Sequence, residues 1–183
     1  SPDELSLEKE IKEVNSKLSY NNLGDGITFM TESFSEDTEI TGPIASKLFI
    51  SSETEDADLF LIARLFNEQQ QEVTFQGALD PKTPLAQGWL RASHRRIDNH
   101  LSKPYRPYHT HDKVELLIPK KVYEVDIEIW PTSIVVPKGY RIGLTIKGQD
   151  YVNQSGGGST LPNMNKFSGC LLYTSPSPRD ISR

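Results

Sequence analysis

The residues of this chain that are best suited to contact a ligand or another protein domain lie in two short segments rich in aromatic and cationic side chains. These segments are Trp89–Arg96 and Tyr105–His109. Such side chains can stack on sugars, bind phosphates or anchor a protein interface, where a central anchor typically contributes about 2 kcal/mol or more. The alternative is a solvated loop held by surface salt bridges, each of which adds little stability. We predict an interdomain or cleft-facing surface formed by Trp89, Arg91, His94, Arg95, Tyr105 and His109.

A pair of histidines suggests a second kind of site, a metal centre. His109 and His111 would share one strand face, and Glu115 follows four residues later. Two imidazoles and a carboxylate can hold iron or zinc, and the spacing partly resembles the first metal motif of the cupins. Pro137–Gly139 resembles part of the second cupin motif, but Ile142 stands where that motif has its last histidine. We therefore expect hydrogen-bonded loop histidines, with no metal and no cofactor.

The sequence offers no serine nucleophile of the kind found in α/β-hydrolases. A serine exposed at a strand-to-helix elbow needs the pattern Gly-x-Ser-x-Gly. The nearest string, Asn153–Gly157, lacks the first glycine. Cys170 is the single cysteine of the chain and has no feature of a catalytic thiol. We expect no catalytic residue in this chain.

The bulk composition fits one globular domain and argues against several partners. The chain has 183 residues, of which 25% are charged and 36% hydrophobic, within the ordinary globular range. A net charge of −5 argues against nucleic-acid binding, which needs clustered Lys and Arg. No apolar run approaches the roughly 20 residues of a membrane span, so we expect no membrane partner. The polar, acidic N-terminus has no signal-peptide pattern, which leaves the compartment open with the cytoplasm favoured.

Two neighbouring stretches, Val122–Trp130 and Tyr140–Lys147, alternate strictly between apolar and polar residues. Because successive side chains of a strand point to opposite faces, each stretch predicts a half-buried strand. The predicted solvent faces are acidic on the first strand and mostly basic on the second: Glu124, Asp126 and Glu128, and Arg141, Thr145 and Lys147. Opposite charges favour cross-strand pairing. We therefore predict one antiparallel pair, with turns at Pro131 and at Pro137–Gly139 between its strands.

The remaining pattern predicts a short helix followed by several short strands. Apolar residues at helical spacing after a capping box at Ser1–Glu4 predict a helix that ends near Leu18. Further strands are predicted at Ile27–Thr31, Ile44–Ser51, Leu59–Phe66, Glu72–Gln76 and Gly88–Ser93. The near-continuous apolar run within Asp58–Phe66 is typical of a strand covered on both faces. Short strands joined by one long crossover, His94–Lys121, favour an all-β, jelly-roll sandwich.

Four ordered blocks of the sequence resemble the C-terminal domain of the X-prolyl dipeptidyl-peptidase and cocaine-esterase-like serine hydrolases. The blocks are Gly42–Phe66, Gly88–Arg96, Pro104–His111 and Val125–Ile146. The resemblance implies a galactose-binding-like jelly roll joined to an N-terminal α/β-hydrolase domain of the same polypeptide. That other domain would carry a Ser-His-Asp triad that cleaves esters, amides or X-prolyl peptide bonds. No triad position matches this chain, so the resemblance implies an inactive domain that packs on the catalytic domain and shapes its cleft.

The resemblance also suggests how the chain is divided. Residues 1–20 would be a connecting helix, and residues 21–169 an incomplete jelly roll. Leu171–Asp180 resembles the translation of a sequencing-library adapter, so residues 170–183 are predicted to be a non-native tail. Two other hypotheses stay open. The chain could be a stand-alone carbohydrate-binding jelly roll that uses the aromatic segments Trp89–Arg96 and Tyr105–His109, or a cupin-type metal-binding protein.

Overall fold

The described part of the protein consists of seven β-strands and one 3₁₀ turn, Ala92–His94. The computed structural model describes residues 19–20, 24–77 and 82–151. The strands are β1 Ile27–Met30, β2 Thr38–Ile50, β3 Asp58–Phe66, β4 Glu72–Val73, β5 Ala86–Arg91, β6 Tyr123–Val136 and β7 Arg141–Lys147. The predicted helix before Leu18 and the predicted tail 170–183 lie outside the described residues. Among the described residues, no helix is both long and apolar enough to cross a membrane.

The strands form two antiparallel sheets. In the larger sheet β7 lies between β1 and β3, and the other side of β3 is shared by β5 and β4. In the smaller sheet β2 pairs with β6 along almost their whole length. Apolar side chains of both sheets meet between them in one cluster that includes Leu61, Leu90 and Ile127. The prediction of an all-β sandwich is confirmed.

The predicted pairing of β6 with β7 is wrong, because the two strands lie in different sheets. β6 pairs with β2, and Lys47 of β2 supplies the cation for Glu124 and Asp126. Alternation predicts which face of a strand is buried, whereas the choice of partner depends on contacts distant in sequence. Pro131 also does not end the strand, since β6 continues to Val136.

The predicted solvent face of β7 is wrong as well. Thr145 and Lys147 are only 1% and 8% exposed. Because β7 is an inner strand, side chains of β1 and β3 cover this face: Thr28 lies 2.8 Å from the Thr145 hydroxyl, and Arg64 donates to it at 3.4 Å. Burial lowers the pKa of Lys147. β7 is thus covered on both faces.

Two other predictions about the core are confirmed. On β6, Val125, Ile127 and Ile129 are all buried, as the alternation predicts. On β3, Phe60, Leu61, Ile62 and Ala63 are buried in succession, as expected of a strand covered on both faces. The core therefore fixes the positions of these strands, and with them the outer surface that the strands form.

Candidate functional site

A cleft of about 500 Å³ lies where the outer faces of β5 and β6 meet. β5 contributes Trp89 and Arg91, which alternate with the buried Gly88 and Leu90. β6 contributes Glu128 and Trp130, which alternate with buried isoleucines. The start of β3 and the loop after β5 complete the lining, and we call this site the Trp–His cleft. It is lined by Asp58, Leu59, Phe60, Trp89, Leu90, Arg91, His94, His109, His111, Glu128 and Trp130.

Gly88 allows the two walls of the cleft to approach each other. A Cβ added at this position would overlap the carbonyl oxygen of Glu128, so β5 and β6 touch through their backbones. Only glycine permits so close an approach of one backbone to another. The contact brings the neighbouring Trp89 and Trp130 rings to a centroid distance of 5.1 Å, with their planes tilted by 52°.

The two tryptophans are the most exposed large aromatic feature of the cleft. Trp89 is 36% exposed and Trp130 is 60% exposed. They are also the only tryptophans of the chain. Tyr and Trp rings are enriched at interfaces, where they combine a large apolar surface with a polar tip. An exposed tryptophan pair that lines a cleft is therefore a candidate contact surface.

The charged groups beside the tryptophans are arranged around one ion pair. The Arg91 guanidinium donates to both carboxylate oxygens of Asp58, at 2.8 and 3.1 Å. Asp58 and Arg91 lie directly opposite each other on β3 and β5. Such a bidentate pair fixes the Arg91 side chain at the cleft wall.

Three histidines form the remaining wall of the cleft. The Nδ1 atoms of His94 and His111 lie 3.4 Å apart, and the His109 and His111 ring centroids 5.9 Å apart. His111 has φ 52°, in the left-handed region that few non-glycine residues occupy. Nε2 of His109 is buried, and it neither donates nor accepts a hydrogen bond within the described residues. Burial lowers the pKa of His109, and the neighbouring His111 acts in the same direction.

The histidines do not form a recognisable metal centre with a third ligand. Across residues 19–20, 24–77 and 82–151, no group of three or more His, Cys, Asp or Glu side chains is placed to hold a metal ion. Glu115, the carboxylate considered with His109 and His111, instead forms an ion pair with Arg95 at 3.6 Å.

The structure separates the six predicted site residues into three groups. Trp89, Arg91, His94 and His109 all line the cleft. Arg95 lies within the domain, where it donates to the carbonyl oxygens of Ala92 and Glu115 and lies 4.5 Å from the centre of the Tyr123 ring. Tyr105 is 56% exposed at a turn closed by backbone hydrogen bonds between Lys103 and Arg106. It does not line the cleft.

Sequence reasoning did not assign Glu128, Trp130 or Asp58 to the site. One signal was available for Trp130. It occupies the solvent-facing phase of β6, after Glu124, Asp126 and Glu128, where a polar residue would be expected. A tryptophan at a strand position where the alternation predicts a polar residue indicates a contact surface. No comparable signal marks Asp58, which reaches the cleft only through its pairing with Arg91 on another strand.

Comparisons with known proteins agree on one kind of domain. A family described as the X-Pro dipeptidyl-peptidase C-terminal non-catalytic domain matches residues 5–169. Two proteins with serine esterase in their names, from Mycobacterium bovis and Mycobacterium tuberculosis, are each 28% identical over 132 residues, 68% of this chain and 19% of the relative. The crystal structure of a CocE/NonD family hydrolase from Staphylococcus aureus matches with a TM-score of 0.67 and 29% identity, over 70% of this chain and 23% of that protein. This chain thus spans about a fifth of the length of the mycobacterial relatives it matches.

Proposed function

Because this chain belongs to the family of X-Pro dipeptidyl-peptidase C-terminal non-catalytic domains, we propose that it packs on the α/β-hydrolase catalytic domain of a parent serine hydrolase. In this proposal the domain helps to shape the active-site cleft. The parent would hydrolyse an ester, amide or X-prolyl substrate, either a small molecule or a peptide. The names of the mycobacterial relatives and of the Staphylococcus aureus hydrolase support this assignment.

The observation that carries the proposal is the exposed tryptophan pair in the Trp–His cleft. An isolated domain gains little from two large rings left 36% and 60% exposed, whereas an interface gains most from central aromatic anchors. Hydrophobic burial would stabilise each covered ring by about 25 cal/mol per Å² of apolar surface removed from water. The cleft is therefore the surface on which we place the catalytic domain.

The chemistry belongs to the other domain in this proposal. Treating this chain alone with a fluorophosphonate probe of serine hydrolases should leave it unlabelled, whereas the parent protein should be labelled at one serine. Labelling is measured by intact-protein mass spectrometry. Stoichiometric labelling of a serine in this chain alone would contradict the proposed division of labour.

The interface itself is tested in the parent protein, encoded by the gene that contains this chain and a catalytic domain. Trp89→Ala or Trp130→Ala should lower the melting temperature of the parent, or its kcat/KM for an ester substrate, more than it lowers the melting temperature of this chain alone. Tyr105→Ala is the matched control, because Tyr105 is a similarly exposed ring outside the cleft. Equal effects in both proteins would reject the interface. Saturable sugar binding lost on Trp89→Ala would instead support a carbohydrate-binding module.

A further inference from the structure

We propose that Trp89, Trp130 and Glu128 form a site for a guanidinium group, and that its occupant is an arginine side chain of the catalytic domain. This inference rests on the proposed function, because the occupant belongs to the other domain of the parent protein. It is carried by the Glu128 carboxylate, which has no hydrogen bond or ion pair among the described residues, by the adjacent tryptophan pair and by the pairing of the other charges around them.

Glu128 differs from the other acidic residues on the outer face of β6. Glu124 and Asp126 both form ion pairs with Lys47 of β2, the second at 3.1 Å. The Glu128 carboxylate, two residues further along, lies in the Trp–His cleft. In the parts of the chain that the structure describes, it has neither an ion pair nor a hydrogen bond. A half-buried carboxylate in a cleft favours a cationic partner, because charge-assisted hydrogen bonds are roughly twice as strong as neutral ones.

The tryptophans supply the second half of a cation site. Trp130 follows Glu128 at the next position on the same face of β6, and Trp89 lies 5.1 Å from Trp130 between ring centroids. The negative face of an indole ring attracts a cation within about 6 Å of its centre, and tryptophan is the best of the aromatic residues at this. Aromatic faces beside one carboxylate favour guanidinium over ammonium, since a planar guanidinium can stack on a ring and present its N–H groups to the carboxylate together.

The other charged side chains of the cleft leave this preference intact. Arg91 is paired with Asp58 through two hydrogen bonds, so their opposite charges together add no net charge to the cleft. Of the Asp, Glu and Arg side chains that line the cleft, Glu128 is therefore the one without an ion pair among the described residues. An anionic partner would meet that carboxylate, and a neutral partner would cover it without neutralising it, which is unfavourable.

The source of the guanidinium follows from charge complementarity and chain length. This chain covers 19% of the mycobacterial relatives, so most of the surface of a parent of that length lies outside it. We therefore assign the occupant to an arginine on the catalytic domain that faces the Trp–His cleft. A free guanidinium compound from solution has the same chemistry, and the experiment separates the two sources.

The first arm uses this chain and its own fluorescence. Because Trp89 and Trp130 are the only tryptophans, tryptophan emission reports on the cleft alone. Titration with N-acetyl-arginine amide should change the emission saturably, whereas the uncharged citrulline analogue should not. Glu128→Gln should weaken the arginine response about tenfold, while Glu124→Gln, which makes the same charge change at a carboxylate paired with Lys47, should leave it unchanged. Equal responses to arginine and citrulline would overturn the proposed site.

The second arm uses the parent protein. Glu128→Gln should lower the melting temperature of the parent more than that of this chain alone. If Trp89→Ala destabilises the parent specifically and Glu128→Gln does not, the interface stands and the guanidinium occupant is wrong. If neither variant acts specifically on the parent, the proposed function itself fails at this surface. If this chain binds the arginine amide but the parent is indifferent to Glu128→Gln, the assignment to the catalytic domain is overturned in favour of a soluble cation.

Discussion

The inner and outer faces of β5 and β6 lie in opposite environments, although their residues alternate one by one along the same strands. The inner face carries Leu90, Val125, Ile127 and Ile129, which are 0–5% exposed and belong to the core shared by both sheets. The outer face carries the half-exposed tryptophans and charged groups of the Trp–His cleft. The comparison shows that a period of two places buried and exposed side chains on the same strand, and we propose that the first stabilise the domain while the second contact the catalytic domain. Substitutions on the two faces should therefore differ in kind.

The largest effect on stability should come from the inner face. Ile127 is fully buried, so Ile127→Ala removes apolar contacts and leaves a cavity. We expect the free energy of unfolding of this chain to fall by about 2–5 kcal/mol, measured by urea denaturation. Trp130→Ala, on the outer face of the same strand, is the comparison and should cost much less in this chain alone. A larger loss for Trp130→Ala would mean that the outer face also belongs to the core.

The contact that joins the two strands should give the next largest effect. Gly88→Ala would place a Cβ against the carbonyl oxygen of Glu128, and neither backbone can yield without moving a strand. Overpacking of this kind typically costs about 1–3 kcal/mol. The same variant should change the Trp emission spectrum, because it separates the walls that carry Trp89 and Trp130. Unchanged stability and Trp emission would show that β5 and β6 can move apart at Gly88 without a cost in free energy.

Arg95 tests whether a residue near the cleft belongs to the inner or the outer class. Its guanidinium side chain is 15% exposed and hydrogen-bonded to two carbonyl oxygens, whereas that of the adjacent Arg96 is 44% exposed. Arg95→Ala should destabilise this chain by about 1–3 kcal/mol, because the substitution removes the side-chain hydrogen bonds to the carbonyl oxygens of Ala92 and Glu115 and the ion pair with the Glu115 carboxylate. Arg96→Ala, the matched control, should change stability by less than about 0.5 kcal/mol. Similar urea midpoints for both variants would assign Arg95 to the outer class.

The sequence predicted where the strands lie better than how they pair. All seven strands overlap their predicted segments, and the buried phase of β6 was predicted correctly. Local alternation contains that information, since the burial of one face repeats every second residue. Local alternation does not identify the partner strand. The predicted partner of β6 was therefore β7, whereas the structure places Lys47 of β2 beside the acidic face of β6. The outer face of β7 was mispredicted for the same reason: its cover comes from Arg64 and Thr28 on other strands.

The site was predicted in part, for a related reason. Four of the six predicted residues line the cleft, because aromatic and cationic side chains in one loop are a local signal. Arg95 has the same residue type and neighbourhood as Arg91, yet it is oriented towards Glu115 and Tyr123. Only the three-dimensional path of the loop distinguishes the two arginines. Whether the six residues face another domain stays a prediction.

The smallest predicted effect concerns pH and the histidine wall of the cleft. Burial lowers the pKa of His109 in the folded chain, so the unfolded chain takes up its proton at a higher pH. Between the two pKa values the unfolded state binds more protons, and stability therefore rises with pH and falls on acidification. We expect the urea midpoint of the wild-type chain to decrease between about pH 7.5 and pH 5.5, and His109→Gln to reduce that decrease. His100→Gln, which removes an exposed imidazole, is the control for the substitution itself. A pH dependence unchanged by His109→Gln would show that the titrating group lies elsewhere in the chain.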